Sequence, residues 1–320
     1  MDLKKPEISV IMSTYNRKDF LPRSIESILA QTYDNFEFIL VNNGSTDGSD
    51  ILCKEYSMKD SRIRVINIAE NRGASAGKNR GIDAALCDYI TIVDDDDYCE
   101  PEMLEFLWGL TNKYNADISI CGSWYEFNGI RRPKYILDEL FVLNKVRGIE
   151  EMLKREKYNI SPPTKLFRRA LFKDIRFKEN VLVDDIHVIY KIFAEAETVV
   201  FHGKPLYTFV RHSSNMTSFN HMNELSPKIL DEYLSAFNER TAYLSKKIPE
   251  IKDRVRYSEW SYMISMCGKI IKYGLDECEK QYAYMIRRLR ENHEEIWNSP
   301  FTTEKEKEFM QKYVTENFEW

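Results

Sequence analysis

The chain has 320 residues, 43% hydrophobic and 30% charged, and 46 Lys and Arg face 51 Asp and Glu for a net charge of -5. That supplies a real core for two domains, or one large domain with an appendage, and excludes a disordered or collagen-like protein. No basic arm screens a phosphate backbone, so nucleic acid is not an expected partner, and no run approaches the roughly 18–20 apolar residues of a membrane span.

In chain order, residues 8–12 read as a buried strand and 20–30 as a helix, with Leu21, Ile25, Ile28 and Leu29 at helical spacing. Residues 36–41 form the second strand and 47–58 the second helix, which Ser45 or Thr46 can cap. A strand at 63–68, a helix at 74–86 and a strand at 89–93 follow. Next come a helix at 101–110, opening on Pro101, and a fifth strand at 117–121. Strands apolar on both faces and separated by helices predict an α/β domain, a mostly parallel Rossmann-like sheet covered on both sides. Residues 125–147 read as loop and hairpin, and 164–219 as a second helix–strand region. The text from Leu225 onward is helical, so the expected division is 1–220 for the α/β domain and 221–320 for a helical C-terminal region.

Residues 1–6 carry no apolar leader, and Cys53, Cys87, Cys99, Cys121, Cys267 and Cys278 form no C-x-x-C pair. Reduced thiols and a cytoplasmic protein are expected.

Ligands of an open parallel sheet bind beyond the carboxyl ends of its strands. There the first strand carries Ser13, Thr14, Tyr15 and Asn16, the second Asn42 to Asp47, and the fourth Asp94, Asp95, Asp96 and Asp97. Four consecutive carboxylates repel one another unless neutralised, and Mg2+ or Mn2+ with a substrate phosphate does this. No glycine precedes Gly44, which excludes a G-x-G-x-x-G dinucleotide turn. The segment from Gly73 to Asn79 is one residue short of a P-loop and ends in Asn where Ser or Thr would hold Mg2+. A rival is the Asp-x-Asp of dehalogenase-like phosphatases at Asp94 and Asp96, although that motif sits on a first strand.

The ordered set resembles family 2 glycosyltransferases of the GT-A fold. It comprises residues 8–16, Gln31-Thr32-Tyr33, residues 41–47, Asn71-Arg72-Gly73, Lys78-Asn79-Arg80-Gly81 and residues 89–97. A looser match runs through residues 164–169 and Val183-Asp184-Asp185 to Arg211-His212. The resemblance implies that Ser13, Thr14, Tyr15, Asn16, Asn43, Lys78, Asp94 and Asp95 meet the nucleotide sugar. It implies that Asp94 and Asp96 hold Mn2+ or Mg2+, and that Asp185 is the catalytic base. Asp97, Asp184, His212 and Lys165 are further candidates. Asn43 stands where the family has Asp; its carbonyl can accept from uracil N3–H and its amide can donate to O4. Thymidine shows the same edge.

The expected activity is metal-dependent, inverting transfer from a nucleotide sugar, UDP-linked, to a glycan or lipid-linked acceptor. Dehalogenase-like phosphoryl transfer and a non-catalytic nucleotide-sugar binder are the alternatives. The tail has a basic cluster (Arg287, Arg288, Arg290) among Tyr282, Tyr284, Met285 and Trp297. It reads as a packed helical cap or homodimer contact, or as a peripheral contact at the inner membrane face, the cap being favoured by Glu291, Glu294 and Glu295. His187, His202, His221 and His293 belong to no constellation.

Overall fold

In the computed structural model, which describes residues 6–215 and 225–315, the first apolar run forms β1 (Ile8–Thr14), with Ile8, Val10, Ile11 and Met12 sealed from solvent. His221 and residue 220 lie outside the described residues. The chain divides into two compact units, Met1–Asn215 and Met216–Trp320.

In the first unit, α1 (Leu21–Leu29) buries Leu21, Ile25 and Ile28 on one face and carries its proline in the first turn. β2 (Phe36–Asn43) is buried along its whole length. It is followed by α2 (Ser49–Lys59), β3 (Ile63–Ile68), α3 (Ala74–Ala84), β4 (Tyr89–Asp94) and β5 (Tyr98–Cys99). Then come α4 (Met103–Tyr114), β6 (Ile118–Phe127), β7 (Ile130–Lys134) and β8 (Leu140–Asn144). The unit closes with α5 (Lys145–Lys154), β9 (Lys165–Arg168), α6 (Asp185–Glu195) and β10 (Thr198–Arg211).

Two local expectations are corrected. Neither Ser45 nor Thr46 caps α2, whose N-cap is Gly48 at φ +99°. The Ser45 hydroxyl instead accepts from Asn16 N–H, and the Ser45 N–H donates to Asn42 Oδ1, so these residues build the loop and not the helix start. Pro101 lies two residues ahead of α4, and its carbonyl accepts from Thr32 N–H at 2.8 Å.

Among the described residues ten strands join in one sheet ordered β3-β2-β1-β4-β9-β6-β10-β5, with β7 on β6 and β8 on β10. The β3, β2, β1 and β4 strands are mutually parallel, and β6 and β10 are parallel to each other, joined to the first set through antiparallel β9. The strand order reverses at β1, so the β1 and β4 carboxyl ends flank the crevice where such sheets take ligands.

The second unit contains α7 (Pro227–Lys247), α8 (Lys252–Tyr273), α9 (Glu279–Glu291), α10 (His293–Asn298) and α11 (Glu304–Phe309). Its core includes Trp260, Met263, Cys267, Tyr282, Met285 and Leu289. The apolar face of α9 is therefore spent inside the unit, and Tyr284 packs against the same core. Arg287 and Arg288 pair with Glu291, while Arg290 donates to Val314 O at 3.0 Å. Among the described residues no helix is long and apolar enough to cross a membrane.

Candidate active site

Register sets Ser13 of β1 beside Asp94 of β4 at the crevice. A β-carbon on Gly77 would collide with Ser13 Oγ, and one on Gly81 with Ile11, so the two glycines let α3 ride directly on β1. Thr14 is buried beside Asp95, whereas Tyr15 is 41% exposed. Asn16 adopts φ +51°, a conformation its short amide tolerates, and its Oδ1 accepts from Thr46 N–H at 2.9 Å. The loops after β1 and β2 are thereby tied together.

Asn43 is buried and held by three hydrogen bonds. Its amide donates to Asn71 Oδ1 at 3.1 Å and Gly73 O at 2.9 Å, while its Oδ1 accepts from Arg72 N–H at 3.3 Å. Both amide protons are committed to the 71–73 loop. The expected donation to a base O4 therefore has no proton left, while Oδ1 keeps a second lone pair.

The four aspartates part company. Asp97 turns into the protein, accepting from the Tyr207 hydroxyl at 2.8 Å and Val210 N–H at 2.7 Å. That removes it from the acids open to a ligand. Tyr207 also accepts from Asp94 N–H at 3.2 Å, and Ser24 Oγ lies 2.6 Å from Asp97 O and 2.9 Å from Asp95 O. Asp96 has His212 Nε2 and Asn215 Nδ2 each 3.1 Å from its Oδ2, with the imidazole stacked on Phe20 at 4.3 Å. Asp95 pairs with Arg17 at 3.8 Å. Burial pushes Asp94, Asp95 and Asp97 above the ordinary carboxylate range, with Asp96 adding to it at all three and Lys78 pulling against it at Asp94.

Asp184 and Asp185 stand at the start of α6 with opposite surroundings. Asp184 accepts from Lys78 Nζ at 2.9 and 3.2 Å. Burial pulls the Lys78 pKa down, but Asp184 and Asp94 more than offset it and the net shift is upward. Lys78 is thus held by an acid of its own fold. Asp185 Oδ1 is buried and has no hydrogen-bond partner among the described residues. Burial and then Asp184 push its carboxyl up to about 6, against the pull of Lys78. Lys165 is wholly buried, donates to Ser161 O at 2.6 Å, and is pulled down to about 7 by burial.

Among the described residues no three His, Cys, Asp or Glu side chains converge as a ready metal cage. The donor set nonetheless fits a hard cation. Asp94 and Asp96 supply carboxylate oxygens in a place where unscreened charge is costly, and Mg2+ and Mn2+ sites complete such pairs with phosphate and water. His212 lies against the same Asp96 oxygen.

Sequence reasoning missed Arg17, Ser24, Tyr207 and Asn215. Arg17 directly follows the first-strand loop and Asn215 lies three residues past His212, so proximity was a usable signal. Tyr207 sits in an apolar run with nothing to mark it.

The profile described as glycosyl transferase family 2 matches residues 9–176, more than half of the chain. The chain belongs to that family. It is a glycosyltransferase, and the dehalogenase-like reading is set aside. It is 34% identical over 219 residues to the glycosyltransferase GlyG of Streptococcus pneumoniae, covering 65% of this chain and 72% of that protein. It is 35% identical over 212 residues to GlyA of the same organism, covering 63% of this chain but 30% of that longer protein. Its fold is similar to S. aureus TarS 1-349 in complex with UDP-GlcNAc, with a TM-score of 0.73, 22% identity and coverage of 92% and 82%. A mannosyltransferase from Pyrobaculum calidifontis in complex with GDP-Man and Mn2+ has a TM-score of 0.57 at 15% identity, with coverage of 89% and 75%.

Proposed function

We propose that this glycosyltransferase moves a sugar from a UDP-linked donor to a hydroxyl of a glycan, free or lipid-linked, by a single inverting displacement. One observation carries the reading: Asp185 Oδ1 is buried at the crevice without a partner, while the acid beside it is committed to Lys78. A carboxyl titrating near 6 is about nine-tenths ionised at pH 7 and still basic enough to take a proton from an attacking hydroxyl. In this reading Ser13, Thr14, Tyr15 and Asn16 frame the nucleoside, and Asn43 Oδ1 accepts from uracil N3–H. Lys78 holds Asp184 in place, so that α6 presents Asp185 in one orientation. Asp94 and Asp96, with His212 against Asp96, would hold Mn2+ or Mg2+, which when bound neutralises the charge of the departing diphosphate. Asp95, restrained by Arg17, keeps the loop in place. Such positioning accounts for a large part of any rate enhancement.

The resemblance in fold to a UDP-GlcNAc complex supports the choice of UDP over other nucleotides. The test is a panel of UDP-, TDP- and GDP-sugars with Mn2+, followed by nucleotide release with and without a glycan acceptor. UDP release that rises with acceptor is expected. Binding without turnover of any donor would establish the non-catalytic alternative instead.

A further inference from the structure

Buried and half-buried cations of the first unit are mostly paired: Lys78 with Asp184, Arg168 with Asp117, Lys154 and Lys157 with Glu151. One group breaks that rule: Lys165 is buried, Lys134 and Arg211 are half-buried, and the exposed Arg155 stands beside them. Lys134 Nζ lies 3.9 Å from the centre of the Tyr125 ring and 4.9 Å from that of Tyr135. The Arg211 guanidinium lies 4.4 Å from the same Tyr125 ring, and Arg155 is close enough to Tyr135 to act on its hydroxyl. Lys165 lies within electrostatic reach of Lys134 and of Asp185, and Arg155 also acts on Asp185. Among the described residues none of the four cations makes an ion pair, and Lys165 has only Ser161 O and Thr164 Oγ1 as hydrogen-bond acceptors.

Burial and then Arg211, Arg155 and Lys165 pull Lys134 down to about 7, which is the cost of gathering like charges from separate elements. The backbone around them is also constrained. Tyr135 and Thr164 hold positive φ (+56° and +76°), rare for a bulky or β-branched residue, while Arg155 at +60° is the left-handed C-cap that ends α5. Such strain gathers at ligand clamps, where the surrounding fold over-determines it.

We propose that Lys134, Arg155, Lys165 and Arg211 form a subsite beside Asp185 for a phosphate carried by the acceptor, an inference that rests on the transferase reading above. Four cations arriving from different elements suit the tetrahedral oxygens of a phosphate better than the two oxygens of a carboxylate, and the aromatic rings of Tyr125 and Tyr135 hold the cations in place. The phosphate is either a diester within a water-soluble glycan or the diphosphate of a lipid-linked one.

Calorimetric titration of the full-length protein, saturated with UDP and Mn2+, tests this with three probes. These are a hexose alkyl phosphodiester, the same hexose as a lipid diphosphate in micelles, and its neutral alkyl glycoside. At least one phosphate-bearing probe is expected to bind at least ~10-fold more tightly than the neutral glycoside. Lys134→Gln and Arg155→Gln should each weaken it by about 10- to 100-fold, the worth of one charge-assisted hydrogen bond. Preference between the two phosphate probes identifies the source. No difference between phosphorylated and neutral probes, including no binding of either, overturns the proposal. So does unchanged phosphate affinity in both variants. Their UDP affinity reports that they fold, and UDP release from the donor on the same samples tests the transferase reading separately.

Discussion

Replacing Asn43 by Asp introduces the residue that the family resemblance leads one to expect, yet the structure predicts damage. Asn43 donates to Gly73 O at 2.9 Å and to Asn71 Oδ1 at 3.1 Å, and a carboxylate would turn both contacts into oxygen facing oxygen. Asn71 cannot simply flip its amide, because its Oδ1 also accepts from Gly73 N–H at 2.9 Å. Two lost bonds at about 1 kcal/mol each, together with a buried acceptor left unpaired, give roughly 2–4 kcal/mol. In a unit of this size that lowers the melting temperature by about 5–15 °C. The penalty must depend on pH. Facing two acceptors, the new carboxyl has a raised folded-state pKa, so below the unfolded value near 4 it is protonated and its single O–H restores one of the two bonds. Stability is then lost as pH rises through the folded value. Scanning calorimetry of the first unit's transition at pH 5 and pH 8 measures this. UDP affinity should fall along with it, because the 71–73 loop loses its anchor. A variant as stable as the parent at pH 8 would refute the reasoning.

Four other outcomes are expected. Acceptor kcat/KM should rise about tenfold per pH unit below about 6 and level off above, because Asp185 must be ionised to take a proton. A pH–rate profile without an inflection between 5 and 7 contradicts the assignment. The same raised pKa means that ionising Asp185 costs stability. That cost is absent below about pH 4, accumulates as pH rises from about 4 to 6 and is constant above, so Asp185→Asn should be the more stable protein at pH 8, by up to about 3 kcal/mol in urea titration, and no more stable at pH 4. Asp96→Ala should lose Mn2+-dependent UDP binding, and equal UDP affinity with and without Mn2+ in both proteins would remove the cation from the site. Gly77→Ala should drive α3 off Ser13 and lower UDP affinity along with stability, which isothermal titration and thermal melts check together.

Much of this architecture is legible in the residues. Period-independent apolar runs such as 36–41 mark strands buried on both faces, and the polar residues that end them mark one rim, because a parallel sheet points its carboxyl ends the same way. What the sequence conceals is the partner of each polar group. The acidic run looks uniform in one dimension, yet Asp97 is separated from its neighbours by a bond to Tyr207, 110 residues away. The same holds for Asp184 and Asp185, adjacent in the chain and opposite in role, since Lys78 lies 106 residues from its acid. The segment carrying Lys134 reads in sequence as loop and hairpin, and nothing local announces that Arg155, Lys165 and Arg211 lie near it. The misplaced cap at Ser45 has the same origin, a hydroxyl claimed by Asn16 N–H from another loop.

The central claim is that Asp185 takes the acceptor proton while the donor is held elsewhere. Asp185→Asn keeps the size and position of the side chain and removes only its basicity. Measuring UDP-sugar affinity and acceptor-dependent UDP release on this one variant tests the claim most directly. The account predicts donor affinity within about twofold of the parent and transfer reduced by ~10²–10⁴-fold. Near-normal transfer at full donor saturation would contradict it and move the base to another residue, with Asp184 released from Lys78 as the first to examine.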